Sequence, residues 1–272
     1  MTLLVAWLAV DTHGPSTVYI AADSRLSWSG LAHYDHGRKV FACKNSADVL
    51  GYCGDVLFPS MALAQIVEMI DAGLLFEPTS SPEERSKCIV QKLRHQFSSY
   101  PSDVAGISAD SLEVIHASRE YEGKVFECRL LRWSRETGWS LSKVSLPTHS
   151  EVLFARGSGA KDFNQRLEKY DKGPNAKTSR SAFHCFCDSL QNSGVASVGG
   201  APQLVGILRK PKSTGIDYGV INSGRRYFLG SRIDELKNFD RIEWRNDLFE
   251  LCDGKTKTRI PDAQRQPNPH MQ

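Results

Sequence analysis

Apolar residues open the chain in two runs, residues 2–10 and 17–23, separated by the turn formers DTHGPS. Unbroken apolar stretches bounded in this way predict a β-hairpin with both strands buried. KVFAC and DVLGYC follow as short strands, so about four strands begin the fold. From Asp55 to Gly73 the period changes: Phe58, Met61, Ala62, Ile66, Met69 and Ile70 recur at helical spacing and predict an amphipathic helix. Ser81-Pro82-Glu83-Glu84 announces a second helix through a serine cap, an early proline and a capping-box glutamate, with Ile89, Leu93 and Phe97 on one face. Between Asp103 and Leu146 the stretches SLEVIHAS, KVFECRLLRW and WSLSKVSL read as strands parted by EYEG and SRETG turns. EVLFA then leads through Gly157-Ser158-Gly159 into a helix carrying Phe163, Leu167 and Tyr170; a further helix carries Phe183, Phe186 and Leu190, and PQLVGIL and IDYGVI return to strand.

Strands, a helix pair, strands, a helix pair and final strands predict an α+β fold, two sheets face to face with helices on both outer faces: a four-layer αββα sandwich. The expected domain covers residues 1–232. Residues 233–272 read as a C-terminal extension in which LFELC-DG-KTKTRI forms a hairpin and QRQPNPHMQ is a disordered tail.

Composition narrows the classes of function. The 272 residues are 40% hydrophobic and 24% charged, as in an ordinary globular protein. A net charge of +3, spread over 34 basic and 31 acidic residues, forms no block suited to nucleic-acid phosphates or an anionic membrane. The seven cysteines sit mostly in apolar runs and predict buried thiols in a reducing compartment rather than a disulfide framework. MTLLVAWLAVD lacks a basic start and is interrupted by Asp11, which distinguishes it from a secretion signal. With no apolar stretch of about 18 residues, the expectation is a cytoplasmic protein.

The residues with chemistry are grouped. A threonine heads the first strand, Ala21-Ala22-Asp23-Ser24-Arg25 closes the second, and Arg38-Lys39-Val40 opens the next, with Asp23 and Lys39 sixteen positions apart. Together with Gly51-Tyr52-Cys53-Gly54, Gly157-Ser158-Gly159 and Ser197-Val198-Gly199-Gly200, this pattern resembles proteasome β-type subunits of the N-terminal-nucleophile (Ntn) hydrolases over roughly residues 2–222. The resemblance implies a threonine-type endopeptidase or amidohydrolase acting on peptide or protein substrates. Thr2 is the nucleophile once Met1 is removed, Asp23 and Lys39 tune it, Gly54, at the start of a helix, supplies an oxyanion-hole N–H, and Ser158 attends the α-amine. Arg25 and Ser197 support the site, Ser27, Gly37 and Cys53 line the substrate cleft, and no cofactor or metal is needed. By the same analogy the chain assembles into a homo-oligomeric ring, with any ATPase partner unspecified.

The chemistry stands on its own. A threonine hydroxyl is a weak nucleophile at neutral pH and needs a base, and a free α-amine titrating near neutrality is available at a chain terminus. The sequence also departs from the family pattern. Gly194, Val195 and Ala196 occupy the neighbourhood of an aspartate expected before SGG, and Val198 replaces a serine. Either Ser193 or Ser197 takes over the helper role, or the chain is a catalytically degenerate structural or binding subunit; a small-molecule amidase is the third reading. His33, Asp35 and His36 read as a solvated loop rather than metal ligands, His184-Cys185-Phe186-Cys187 as a core helix face, and Arg209, Lys210 and Lys212 as an exposed turn.

Overall fold

A computed structural model describes residues 2–28, 32–102, 104, 109–234 and 238–263. Met1, Asp103 and the tail 264–272 lie outside the described residues. The apolar opening forms β1 (Leu4–Asp11) and β2 (Gly14–Ala22), which pair antiparallel with Leu4 opposite Ala22 and Asp11 opposite Gly14. Arg209 clamps the tip of this hairpin through both Asp11 carboxylate oxygens, so it is a strut rather than a free turn residue.

The segment read as a solvated loop is a small hairpin, β3 (Leu26–Trp28) with β4 (Ala32–Tyr34), so Lys39 precedes the fifth strand rather than opening the third. β5 (Val40–Ala42) and β6 (Asp48–Gly54) follow. Next come α1 (Leu57–Asp71) and α2 (Pro82–Phe97), the latter with the full Ser81–Glu84 capping box. β7 (Ser111–Arg119), β8 (Phe126–Ser134) and β9 (Gly138–Val144) extend β5 and β6 into a five-stranded antiparallel sheet in chain order.

β10 (Glu151–Arg156) crosses back to pair with β1. After α3 (Ala160–Tyr170) and α4 (Ser179–Gln191), β11 (Gln203–Leu208) pairs with the far side of β2. β12 (Ile216–Asn222), β13 (Arg225–Phe228) and β14 (Ser231–Ile233) continue this sheet. Past Arg232, where the hydrophobic pattern weakens, β15 (Trp244–Asn246) runs parallel to β12 and pairs with β16 (Leu251–Cys252), while Cys252 bridges to Arg259. Those strands are too short for a period of two to register in the sequence.

Strand alternation sends β1 side chains into two different cores. Leu4, Ala6 and Leu8 meet Val40, Val49, Ile115 and Ala117 of the five-stranded sheet. Leu3, Val5 and Trp7 face Phe163, Phe183 and Phe186 of α3 and α4. A third cluster joins Phe41, Leu50 and Tyr52 to Phe58, Leu63, Ile66, Ile89 and Leu93 of α1 and α2. Both sheets are therefore apolar on both faces, and each fully buried aliphatic or aromatic side chain contributes about 1.5–3 kcal/mol. All seven cysteines are free, and every one but Cys88 is buried. Among the described residues no helix is long and apolar enough to cross a membrane, and no group of His, Cys, Asp or Glu is placed to hold a metal ion.

Candidate active site

Thr2 stands immediately before β1, Asp23 just after β2 and Lys39 just before β5, and all three are fully buried. The antiparallel pairing of Leu4 with Ala22 brings the first two together, and the turn through β3 and β4 returns the chain to place the third. Lys39 Nζ lies 2.7 Å from Thr2 Oγ1, 2.8 Å from Asp23 Oδ1 and 2.6 Å from the Arg25 carbonyl. An ammonium has three N–H donors, and each is engaged here. Thr2 Oγ1 accepts one of them, so positive charge faces the hydroxyl oxygen. Burial lowers the Lys39 ammonium below the ordinary lysine range, against the opposing pull of Asp23.

Asp23 binds more than Lys39. Its Oδ1 also accepts the Leu3 N–H at 3.1 Å, and Oδ2 accepts the Gly199 N–H at 3.2 Å. One carboxylate thus ties together the head of β1, the lysine and the 197–200 turn. Arg25 is turned away from the hydroxyl: its Nε and Nη2 form a bidentate pair with Asp35 at 2.8 Å, and its Nη1 donates to the Ala196 carbonyl at 3.1 Å. That guanidinium holds the Asp35 carboxyl below its usual range.

On the other side of Thr2, its backbone N–H donates to Ser158 Oγ at 3.3 Å, and Ser158 Oγ lies 2.8 Å from Ser197 Oγ. Ser158 sits in the turn before α3, where Gly157 has a φ of +85° and passes so close to Thr2 that a Cβ there would lie 2.1 Å from the Thr2 carbonyl oxygen. The Gly159 N–H donates to that same oxygen at 3.2 Å. Of the two serines weighed as helpers, Ser197 is in this chain of hydroxyls. Ser193 instead exchanges hydrogen bonds with Val195.

Gly54 is placed differently from expectation. It ends β6 rather than starting a helix; α1 begins at Leu57, and its cap residue Val56 makes no side-chain bond. Gly54 has a φ of +94°, and a Cβ there would meet the Ser111 carbonyl oxygen at 2.5 Å. Asp55 secures the turn by accepting the Asp110 and Ser111 N–H groups.

Of the residues expected along a substrate cleft, Cys53 is buried, with its thiol pushed up to about 12 mainly by burial. Ser27 lies on β3, its hydroxyl shielded and without a partner among the described residues. Gly37 packs against Leu26 and donates its N–H to the Ser24 carbonyl at 2.9 Å. Sequence reasoning missed Gln203. Its carboxamide is fully buried, accepts the Lys39 N–H at 3.1 Å, and donates to the carbonyls of Asp23 at 3.0 Å and Gly37 at 2.8 Å. The signal available was a polar residue at the head of the otherwise apolar strand QLVGIL.

No protein-family model matches this sequence, and no curated protein does. Solved structures do resemble it. The Anbu complex from Pseudomonas aeruginosa, described as a helical assembly, superposes with a TM-score of 0.58 at 13% identity, over 87% of this chain and 88% of that one. Anbu (ancestral beta-subunit) from Yersinia bercovieri gives 0.55 at 12% identity, over 84% and 86%. An Anbu mutant from Hyphomicrobium sp. strain MC1 gives 0.51 at 15% identity, over 80% and 86%. At such identities the likeness carries the architecture alone: this chain has the proteasome-like fold of the Anbu ancestral beta-subunits.

Proposed function

We propose that this chain is an N-terminal threonine hydrolase that cleaves peptide bonds after removal of Met1, on a four-layer αββα scaffold. The observation that carries the reading is the Lys39 ammonium 2.7 Å from Thr2 Oγ1 with Asp23 behind it at 2.8 Å. Removal of Met1 converts the Thr2 nitrogen, already 3.3 Å from Ser158 Oγ, into an α-amine. Thr2 Oγ1 attacks the scissile carbonyl carbon and its proton passes to that amine. The tetrahedral oxyanion is held by the Gly54 N–H, a kind of donor worth about 3 kcal/mol when one is removed. The C–N bond then breaks, the α-ammonium protonates the leaving amine, and water hydrolyses the remaining threonyl ester.

Ser158 and Ser197 supply the hydroxyls that orient the amine in place of the absent aspartate. Ser27, Gly37 and Cys53 flank the incoming peptide, and Arg25 braces the turn that carries Ala196. Several copies of the chain assemble with the sites turned to a shared interior, as the beta-subunit fold of the structural relatives suggests.

Intact mass with N-terminal sequencing, followed by hydrolysis of fluorogenic peptides, tests this reading. The expected result is loss of one methionine and peptide turnover that falls at least about a thousandfold in Thr2→Ala. A retained Met1 overturns it in favour of a non-catalytic subunit, and full activity in Thr2→Ala overturns Thr2 as the nucleophile.

A further inference from the structure

At the end of the sheet pair where Thr2 stands, three charged side chains meet across the gap between the sheets. Arg156 ends β10 directly opposite Leu4 and two residues past Phe154, which shares with Leu4 the apolar cluster between the sheets. On the facing sheet Cys53, Glu113 and Arg132 form one row across β6, β7 and β8. Cys53, and Ile115 two residues beyond Glu113, belong to that same cluster. The row starts one residue from Gly54, and both the Glu113 carboxylate and the Lys39 ammonium are close enough to act on the Cys53 thiol.

The charges in this group do not balance. Arg132 Nε lies 2.8 Å from Glu113 Oε1, and Arg156 Nε lies 3.4 Å from Glu113 Oε2, the second contact bridging the two sheets. One carboxylate between two guanidiniums leaves net positive charge close to the nucleophile. Donors are left over as well. Neither Nη of Arg132 makes a hydrogen bond among the described residues, and Arg156 spends only Nη1, on the Ala155 carbonyl at 3.1 Å. Solvent reaches all three side chains: Glu113 is 25% exposed, Arg132 43% and Arg156 37%.

We propose that Arg156 and Arg132 bind a carboxylate on the leaving-group side of the substrate, so that the chain favours peptides with an acidic residue, or their own C-terminal carboxylate, just beyond the scissile bond. The inference rests on the hydrolase reading, in which the Thr2 α-ammonium protonates the leaving amine. The leaving segment therefore departs past the Thr2 nitrogen, which faces Ser158, and Arg156 lies two residues before Ser158. A carboxylate drawn in there takes the unspent Nη donors in the fork geometry that guanidinium and carboxylate share. Glu113 is the positioning residue: it holds both guanidiniums and sets their excess at one positive charge, enough for one carboxylate.

The test incubates the full-length protein with synthetic peptides of varied sequence, each in free-acid and C-terminally amidated form, and reads the cuts by mass spectrometry. Enrichment of glutamate or aspartate just after the cut identifies an acidic side chain as the group bound. Cuts close to a free C-terminus but not to an amidated one identify the terminal carboxylate. For the best-cleaved peptide, replacing that glutamate by glutamine, or amidating the terminus, is expected to lower kcat/KM about tenfold. Arg156→Gln and Arg132→Gln are each expected to bring the ratio of charged to neutral peptide towards one, whereas a purely structural role would lower both alike. Either variant suffices should the other fail to fold, and Arg156→Glu is expected to shift the preference towards lysine. Cleavage without preference for a carboxylate, or a preference undiminished in Arg156→Gln and Arg132→Gln, overturns the proposal and leaves the hydrolase reading standing. No cleavage of any peptide overturns both.

Discussion

Individual residues at the site are constrained by the hydrogen bonds they make. Lys39 spends its three N–H donors on a hydroxyl, a carboxylate and a carbonyl, so shortening or neutralising it leaves Asp23 buried without its counter-charge. Under the proposed mechanism the pH profile is a bell. Activity rises as the α-amine, ordinarily titrating at about 7.7–8.0, loses its proton. It falls again as Lys39 deprotonates, below the ordinary lysine value of 10.5 because burial lowers it. Peptide hydrolysis measured across pH checks both limbs; a falling limb at or above 10.5 would rule out the role given to Lys39. Gln203→Leu removes one acceptor and two donations to backbone groups around the site, and is expected to cost about 2–4 kcal/mol in urea unfolding. Gly157→Ala should fail more severely, because its Cβ would stand 2.1 Å from the Thr2 carbonyl oxygen at a φ of +85°.

Between elements, a buried polar chain joins α2 to the five-stranded sheet. Ser86 Oγ lies 2.7 Å from His116 Nδ1, and His116 Nε2 lies 2.7 Å from Asp48 Oδ1, while Asp48 Oδ2 takes Arg85 Nη1 at 3.0 Å. The first three resemble a serine–histidine–aspartate series, but Ser86 Oγ donates to the Pro82 carbonyl of its own helix at 3.0 Å, and the series pins α2 to the sheet as a rivet. Burial alone would raise the Asp48 carboxyl, yet His116 and Arg85 outweigh it and bring it to about 2 from 3.8. A depressed carboxyl stabilises the fold above its unfolded value and ceases to do so as pH falls through its folded value. Unfolding followed between pH 5 and 2 is therefore expected to lose about 2 kcal/mol that Asp48→Asn does not lose. At the head of α2, Ser81→Ala breaks the capping box and should cost about 1 kcal/mol by the same measurement.

At the scale of the whole molecule, two sheets with apolar faces on both sides hold the site where the head of β1, the end of β2 and the approach to β5 converge. Assembly of several copies belongs to this scale. Light scattering coupled to size exclusion is expected to give a mass several times 30.3 kDa, and a monomer at working concentration would remove the shared interior from the proposed function.

Much of this protein was legible in one dimension because its elements are long and periodic. β1 and β2, α1, the capping box of α2, the β7–β9 series and the helix pair α3–α4 all carry their period in the order of residues. Thr2, Asp23, Lys39 and Ser158 could be named together because each sits at a strand end or in a glycine turn at a recognisable spacing. Other features depend on long-range packing. The β3–β4 hairpin and the strands past Arg232 are too short for periodicity to register, and Gly54 became a strand end because Asp55 is bound by the Asp110–Ser111 backbone. Gln203 acquires its role only when β11 lies beside β2, 164 positions from Lys39 in the chain. The indole N–H of Trp7 and the hydroxyl of Ser181, buried without a partner among the described residues, likewise reach that state only once α4 covers β1. Local sequence dictates which face of an element is apolar, whereas which polar atoms meet, and which are left without a partner, is decided when those faces are buried against one another.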